Sequence, residues 1–156
     1  MLTIGNWLHV NGDAIYSTRP WVKFGEGPIA DKVAASMVKI RAAGFAGKLN
    51  GQNMPGDGVG GGGLPRDGGY TPRDIRFTTH GDTLYAIVMA WPQDQVVITS
   101  LAAGKGVQGK VQKVRLLGND SYLQFTQDGE GLKIKFPSER PCDYAYALKI
   151  SGLRLN

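Results

Sequence analysis

The chain has 156 residues, of which 42% are hydrophobic and 20% are charged, and its formal net charge is +5. This length suits one globular domain of ordinary size, and this composition excludes wholesale disorder. The 18 lysines and arginines are spread along the chain and alternate with apolar residues. Because a nucleic-acid site needs a basic patch with interleaved aromatic residues, no nucleic-acid partner is expected.

Cysteine content and hydropathy narrow the class further. Cys142 is the only cysteine, which excludes an intrachain disulfide and a cysteine-based zinc site. No apolar stretch approaches the ~20 residues that a membrane-spanning helix needs, so no membrane partner is expected. Residues 1–10 lack the basic start and the apolar run of a signal peptide, and the location of the protein is therefore unknown from its sequence.

The chain opens with a short helical pattern. Ile4, Trp7 and Leu8 have the i, i+3, i+4 spacing of one helix face, and Asn11-Gly12 is a typical helix end. An isolated helix shorter than ~12 residues is marginal in water. This helix therefore needs tertiary support or a preceding segment, and we interpret the start of the chain as truncated.

Residues 14–73 contain few regular signals. Residues 14–24 predict an extended connector that its aromatic side chains pin to a core, around the Arg19-Pro20 pair. Residues 31–43 predict a short helix through Val33, Met37 and Ile40. Glycines crowd the following stretch, so residues 51–69 predict a long loop and residues 29–69 the most mobile part of the fold.

From Asp74 onward, short apolar segments alternate with turn residues at the spacing of an antiparallel sandwich or barrel. Strands are predicted at residues 74–79, 83–91, 95–101, 111–117, 121–127, 131–136 and 144–150. Turns at residues 80–82 and 128–131 predict hairpins. The predicted fold class is mainly β, an antiparallel β-sandwich with a short N-terminal helix and a long glycine-rich loop. Its parts are a helix end and connector (1–28), a glycine-rich linker with a short helix (29–73) and the β-sandwich (74–156).

The second predicted strand is apolar on both faces. One face carries Leu84, Ala86, Val88 and Ala90, and the other carries Tyr85, Ile87, Met89 and Trp91. One face covers the sandwich core, so the other is expected to pack against a second body.

Candidate catalytic groups are scattered. Acidic side chains that could in principle act as a catalytic pair are Asp13, Glu26, Asp82, Asp128 and Glu139. Nothing in their spacing predicts such a pair, and the turn contexts of Asp82 and Asp128 favour local backbone bonding. The two histidines, His9 and His80, are too isolated to predict a metal site or a triad.

A phosphate-binding loop is the other candidate. Gly104, Gly106 and Gly109 fit G-x-G-x-x-G, and Lys110 adds part of a G-x-x-x-x-G-K-[ST] motif. Both motifs require a helix after the loop, whereas residues 111–117 predict a strand, and Val111 replaces the magnesium-binding hydroxyl. We therefore predict a flexible hairpin loop and no nucleotide, cofactor or metal.

Ordered blocks of this sequence resemble family 29 glycoside hydrolases, the α-L-fucosidases. Residues 4–8 (IGNWL), 11–16 (NGDAIY) and 18–21 (TRPW) are similar to the last helix of the family's catalytic barrel and the segment that leaves it. Residues 74–79 (DIRFTT), 81–87 (GDTLYAI), 91–92 (WP), 114–118 (VRLLG), 127–132 (QDGEGL) and 141–146 (PCDYAY) resemble its C-terminal sandwich, in the same order. The family usually has Glu where Asp13 stands, and residues 29–69 are longer and richer in glycine than its usual linker.

The resemblance implies an ancillary, structural domain of an enzyme that hydrolyses terminal α-L-fucose. The family's nucleophile and acid/base lie on or around the barrel, and no position of this sequence matches them, so no catalytic residue is assigned and the chain's own activity is uncertain. Alternatives are a free-standing carbohydrate-binding module and a minimal active fucosidase. Candidate contacts to sugar or barrel are Tyr70, Tyr85, Met89 and Trp91. Expected partners are the catalytic barrel, fucosylated glycans and a second copy of the chain, and many family members are exported.

Overall fold

The structure, a computed structural model, describes residues 2–42, 69–104 and 107–155. Helix α1 (Leu2–Asn11) leads through a 3-10 turn (Gly12–Ala14) into strand β1 (Arg19–Glu26) and helix α2 (Pro28–Ala42). The strands that follow are β2 (Ile75–His80), β3 (Thr83–Val88), β4 (Gln95–Ile98), β5 (Gln108–Leu116), β6 (Phe125–Gln127), β7 (Leu132–Lys135) and β8 (Tyr146–Arg154). A second 3-10 turn, Thr99–Leu101, follows β4.

Two antiparallel sheets form the body of the fold. The larger sheet has the order β1-β2-β3-β8-β5, and the smaller has the order β4-β7-β6. Apolar side chains from both sheets form one buried cluster, in which Leu84, Leu148, Leu132 and Ile134 are fully buried. This arrangement confirms the predicted antiparallel β-sandwich with a short N-terminal helix.

Each of the seven predicted strands contains an observed strand or overlaps one. Both predicted hairpins are present: His80 pairs with Thr83 around Gly81, whose φ is 57°, and Gln127 pairs with Leu132 across the second turn. A two-residue hairpin turn of type II′ needs a positive φ at its first central residue, which glycine adopts without strain. The sequence predicts a loop at residues 104–110 that leads into a strand and not into a helix. Strand β5, which begins at Gln108, confirms that a strand follows.

Strand β1 occupies the segment predicted to be an extended connector. Its Arg19 and Pro20 pair with Thr79 and Thr78 of β2, and the register shifts before Gly25. Pro20 is tolerated because β1 is an edge strand, where a missing N–H leaves no neighbour unpaired. The predicted pinning by aromatics is confirmed at Trp21, which packs edge-on against Phe77 with ring centroids 5.2 Å apart.

Helix α2 is held at its first turn by the buried carboxylate of Asp74. One Asp74 oxygen accepts the Ile29 N–H at 2.9 Å, and the other accepts the N–H and the hydroxyl of Thr71, both at 2.9 Å. The helix begins at Pro28, three residues before the predicted start, because proline suits the first helical position. The predicted loop at residues 51–69 lies outside the described residues except for residue 69, and the predicted mobility of residues 29–69 stays a prediction.

A second buried carboxylate ties the two sheets together. Glu26, at the end of β1, accepts the N–H groups of Thr99 and Ser100 at 2.8 Å each, together with both hydroxyls. An anion at the start of a helical turn satisfies N–H groups that have no partner within the turn. Glu26 therefore fixes the 3-10 turn of the smaller sheet against the edge of the larger one.

Candidate functional site

The outer face of the larger sheet carries a second apolar cluster. It consists of Ala14, Tyr85, Ile87, Leu117, Ala145 and Ala147, with Trp7 and Met89 packed against it. The prediction that β3 is apolar on both faces is thus confirmed for Leu84–Val88, and α1 with its 3-10 turn lies over the second face. Much of the body that covers this face therefore belongs to the chain itself.

Hydrogen bonds fix the position of α1 on this face. The indole of Trp7 donates to the carbonyl of Ala145 at 2.8 Å. The amide of Asn11, fully buried, accepts the Ala147 N–H at 3.2 Å and donates to the Trp7 carbonyl at 3.2 Å. Thr78 donates its hydroxyl proton to the carbonyl of Ala14 at 2.7 Å. Helix α1 is therefore a defined part of the sandwich surface.

The thiol of Cys142 lies beneath this helix. Asn11 donates to its sulfur at 3.4 Å, and the sulfur faces the Ala145 carbonyl at 3.4 Å. Burial raises the pKa of the Cys142 thiol above its ordinary value, and the hydrogen bond from Asn11 opposes that rise. Because the thiolate is the nucleophilic form, this environment disfavours the reactive form of Cys142.

Apolar surface remains exposed at the outer end of α1. Thr3, Ile4, Trp7, Tyr144 and Ala145 line a shallow groove of about 140 Å³, which we call the α1 groove. Ile4 and Tyr144 expose 68% and 70% of their surface. Two large apolar side chains exposed side by side form a candidate contact surface for a second body.

The backbone at Tyr144 is strained. Its φ is 75°, and the Ala145 N–H donates to the Asp143 carbonyl at 3.1 Å, the hydrogen bond of a classic-type γ-turn. This conformation costs a residue other than glycine roughly 1–2 kcal/mol. The turn holds an exposed aromatic ring beside Ile4, and strain of this kind is often kept where a surface makes a contact.

The four candidate contact residues occupy different places. Tyr85 is buried in the second cluster, with 4% of its surface exposed, and Met89 is half-buried at the rim of that cluster. Tyr70 is half-buried near the start of the second described segment. Contact of these residues with a sugar or a barrel stays a prediction.

The predicted placement of Trp91 on the face of Tyr85 is wrong. Strand β3 ends at Val88, and the bend at Met89 and Ala90 breaks the alternation. Trp91 consequently packs into the sandwich core, edge-on to Tyr146 at 4.7 Å and to Phe136 at 5.2 Å between ring centroids.

Three of the five acidic side chains considered for catalysis make structural contacts. Asp128 accepts the N–H groups of Glu130 and Gly131, and its hydrogen bond with Lys133 lowers the pKa of the Asp128 carboxyl. The turn role predicted for Asp128 is confirmed. Glu26 is buried, and the Asp13 carboxylate lies 3.8 Å from the Lys149 ammonium. Within the described residues, no three histidine, cysteine or acidic side chains cluster in a way that could hold a metal ion.

The helices in the described part of the chain are too short and too polar to cross a bilayer. Neither α1 nor α2 has the length and hydropathy that a bilayer-crossing helix requires.

Comparison with known proteins agrees with this fold. The chain is 26% identical over 97% of its length to an α-L-fucosidase of Branchiostoma floridae, and 22% identical over 99% of its length to human tissue α-L-fucosidase. It superposes on a crystal structure of Thermotoga maritima α-fucosidase with a TM-score of 0.55 and 20% identity, over 94% of this chain. The chain spans 24% of the length of each of these proteins.

A family model described as the alpha-L-fucosidase C-terminal domain matches residues 70–151. The matched region runs from the segment before β2 into β8, and so includes Asp74, the smaller sheet and the larger sheet without β1 and the last residues of β8. Since the match takes in more than half of the chain, the protein belongs to the alpha-L-fucosidase C-terminal domain family.

Proposed function

We propose that this protein is the ancillary, non-catalytic β-sandwich domain of an α-L-fucosidase, and that it packs against the catalytic body through the α1 groove. The catalytic body is the part of such an enzyme that lies outside the region this chain matches. The observation that carries the proposal is the exposure of Ile4, on a helix that hydrogen bonds fix to the sandwich, together with the exposure of Tyr144 in the turn before β8.

The length of the relatives supports the catalytic body as the part that covers this groove. Each relative named above is an α-L-fucosidase about four times as long as the matched region, since the match takes 24% of its length. In such an enzyme the catalytic body provides the second apolar surface that α1 requires. Burying a few tens of Å² of each exposed side chain at ~25 cal/mol per Å² supplies a modest but useful docking energy.

A carbohydrate-binding module is favoured less. Stacking on a sugar ring needs two or three aromatic rings exposed on one face, whereas Tyr85 lies under α1 and Trp91 packs on Phe136 and Tyr146. Self-association through the α1 groove remains a proposal for the isolated chain, because two copies could cover the same apolar surface.

The test compares the isolated chain with a chimera. In the chimera, this chain replaces the matched region of the Thermotoga maritima α-fucosidase, and both proteins are assayed with an aryl α-L-fucoside. We expect fucose release from the chimera and none above background from the isolated chain, because retaining hydrolysis needs two positioned carboxylates.

Two results would overturn the proposal. Turnover by the isolated chain that a single Asp or Glu substitution abolishes would make it a minimal fucosidase. Saturable binding of a fucosylated oligosaccharide to the isolated chain, lost on Tyr70→Ala, would make it a carbohydrate-binding module.

A further inference from the structure

A second concavity lies where three strands of the larger sheet begin or end. It has a volume of about 460 Å³ and is lined by Ser17, Arg19, Thr79, His80, Gly81 and Leu155. We call it the sheet-end cavity. Arg19 opens β1, His80 closes β2, and Leu155 follows β8, so the pairing of these strands sets the positions of the lining residues.

The cavity is lined by one guanidinium, one imidazole and two hydroxyl groups, beside Gly81 and Leu155, and by no acidic residue. Arg19 is always charged, and its planar group presents five N–H donors, while the imidazole of His80 supplies another. The ion pairs found in the described part of the chain involve neither Arg19 nor His80. Both side chains are exposed and therefore free to reach a ligand.

Backbone strain marks the same place. Ser17 has a φ of 58°, in the left-handed region that a residue other than glycine adopts at a cost. A hydrogen bond closes this turn, in which the Thr18 hydroxyl donates to the Ile15 carbonyl at 2.9 Å. Strain that the surrounding structure maintains is found often at ligand sites, and here it sets Ser17 at the cavity wall.

We propose that the sheet-end cavity binds a small oxyanion-bearing ligand of monosaccharide size, with Arg19 and His80 as the charged or donating contacts and Ser17 as a hydroxyl contact. The volume is within the range of small-molecule sites. An arginine fork matches the oxygens of carboxylate, sulfate and phosphate alike. This inference is independent of the proposed docking function, because no residue lining the cavity lines the α1 groove.

The test is an NMR titration of the ¹⁵N-labelled full chain at constant ionic strength. Its arms are acetate, glucuronate, sulfate and inorganic phosphate, with glucose as the neutral sugar. We expect saturable shifts at Ser17, Arg19, His80 and Gly81 with at least one anion, at about millimolar affinity, since a ligand of this size gains little more. The arm that saturates first identifies the anion class.

Variants separate a built site from general charge attraction. Arg19→Gln and His80→Gln should each weaken binding, Arg19→Gln by on the order of tenfold, because a charge-assisted hydrogen bond is lost. Matched controls are Lys135→Gln, which removes an exposed cation from the other sheet, and His9→Gln on α1. A dispersed spectrum for each variant shows that it is folded.

Three outcomes would overturn the proposal. They are shifts that rise linearly without saturation for every anion, equal weakening by Arg19→Gln and Lys135→Gln, and glucose binding as tightly as glucuronate.

Discussion

Asn11 and Glu26 each join two parts of the chain through a buried polar side chain. The Asn11 amide links α1 to β8 and to Cys142, and the Glu26 carboxylate links β1 to the turn after β4. A buried polar group whose bonds are all made fixes one geometry, and losing a partner leaves the other unsatisfied. These two residues therefore fix the helix and the sheet edge on which the proposed docking depends.

Asn11→Ala tests this role directly. The substitution leaves the buried Ala147 N–H without its acceptor, so we expect the free energy of unfolding to fall by about 2 kcal/mol. Urea unfolding at 25 °C followed by circular dichroism measures the change. Asn6→Ala, at an exposed site on the same helix, should change it by less than ~0.5 kcal/mol. Equal effects of the two substitutions would contradict the role assigned to Asn11.

The sequence does not predict hydrogen bonds between residues that are far apart along the chain. The Asn11-Gly12 pair correctly predicts a helix end, but nothing local indicates a bond to Ala147, 136 residues away. Asp74 is similar: its position before β2 predicts a strand start, whereas its carboxylate holds Ile29, 45 residues earlier. The face predicted for Trp91 was wrong for a different reason. A bend at the two preceding residues reverses the face on which a later side chain lies.

Among the elements, hydrophobic alternation predicted the strands well where turn residues bound them. In β7, Leu132 and Ile134 face the core while Lys135 is exposed, as the pattern indicated. The segment that forms β1 was predicted as an extended connector pinned to a core by its aromatic side chains. In the structure it is a strand, although Val22 and Phe24 are exposed. Its pairing with β2 depends on packing by Trp21, which local propensity does not report.

Asp74 binds both ends of the segment between β1 and β2. Asp74 binds Ile29 on one side and Thr71 on the other, and the described α2 side chains after Ala30 are half-buried or exposed. We therefore expect that replacing residues 31–69 by a short glycine-serine linker leaves the sandwich folded, with a loss of less than ~1 kcal/mol, which is a few degrees in Tm.

Differential scanning calorimetry of the shortened chain measures this. The same replacement combined with Asp74→Ala is the control, and it should unfold at a clearly lower temperature because the anchor is gone. A shortened chain without a cooperative transition would show that residues 31–69 contribute to the core.

At the scale of the whole molecule, the chain is a sandwich with an unusual division of its apolar surface. One face of the larger sheet covers the core, and α1 covers much of the other. The sequence predicted that β3 needs cover on both faces, but it could not show that α1 supplies this cover. Tyr85 is consequently buried, whereas Ile4 and Tyr144 are exposed. Docking is therefore tested by substitutions at these two exposed residues.

The most direct test is the thermal stability of the chimera with Thermotoga maritima α-fucosidase carrying Ile4→Lys. A lysine in the α1 groove should lower the Tm of the chimera by about 2–4 °C and leave the isolated chain unchanged, because Ile4 is exposed until a catalytic body covers it. Val22→Lys, at a site that is 93% exposed on β1, is the matched control and should change neither protein. An equal shift for the two substitutions in the chimera, or none for Ile4→Lys, would contradict docking through the α1 groove.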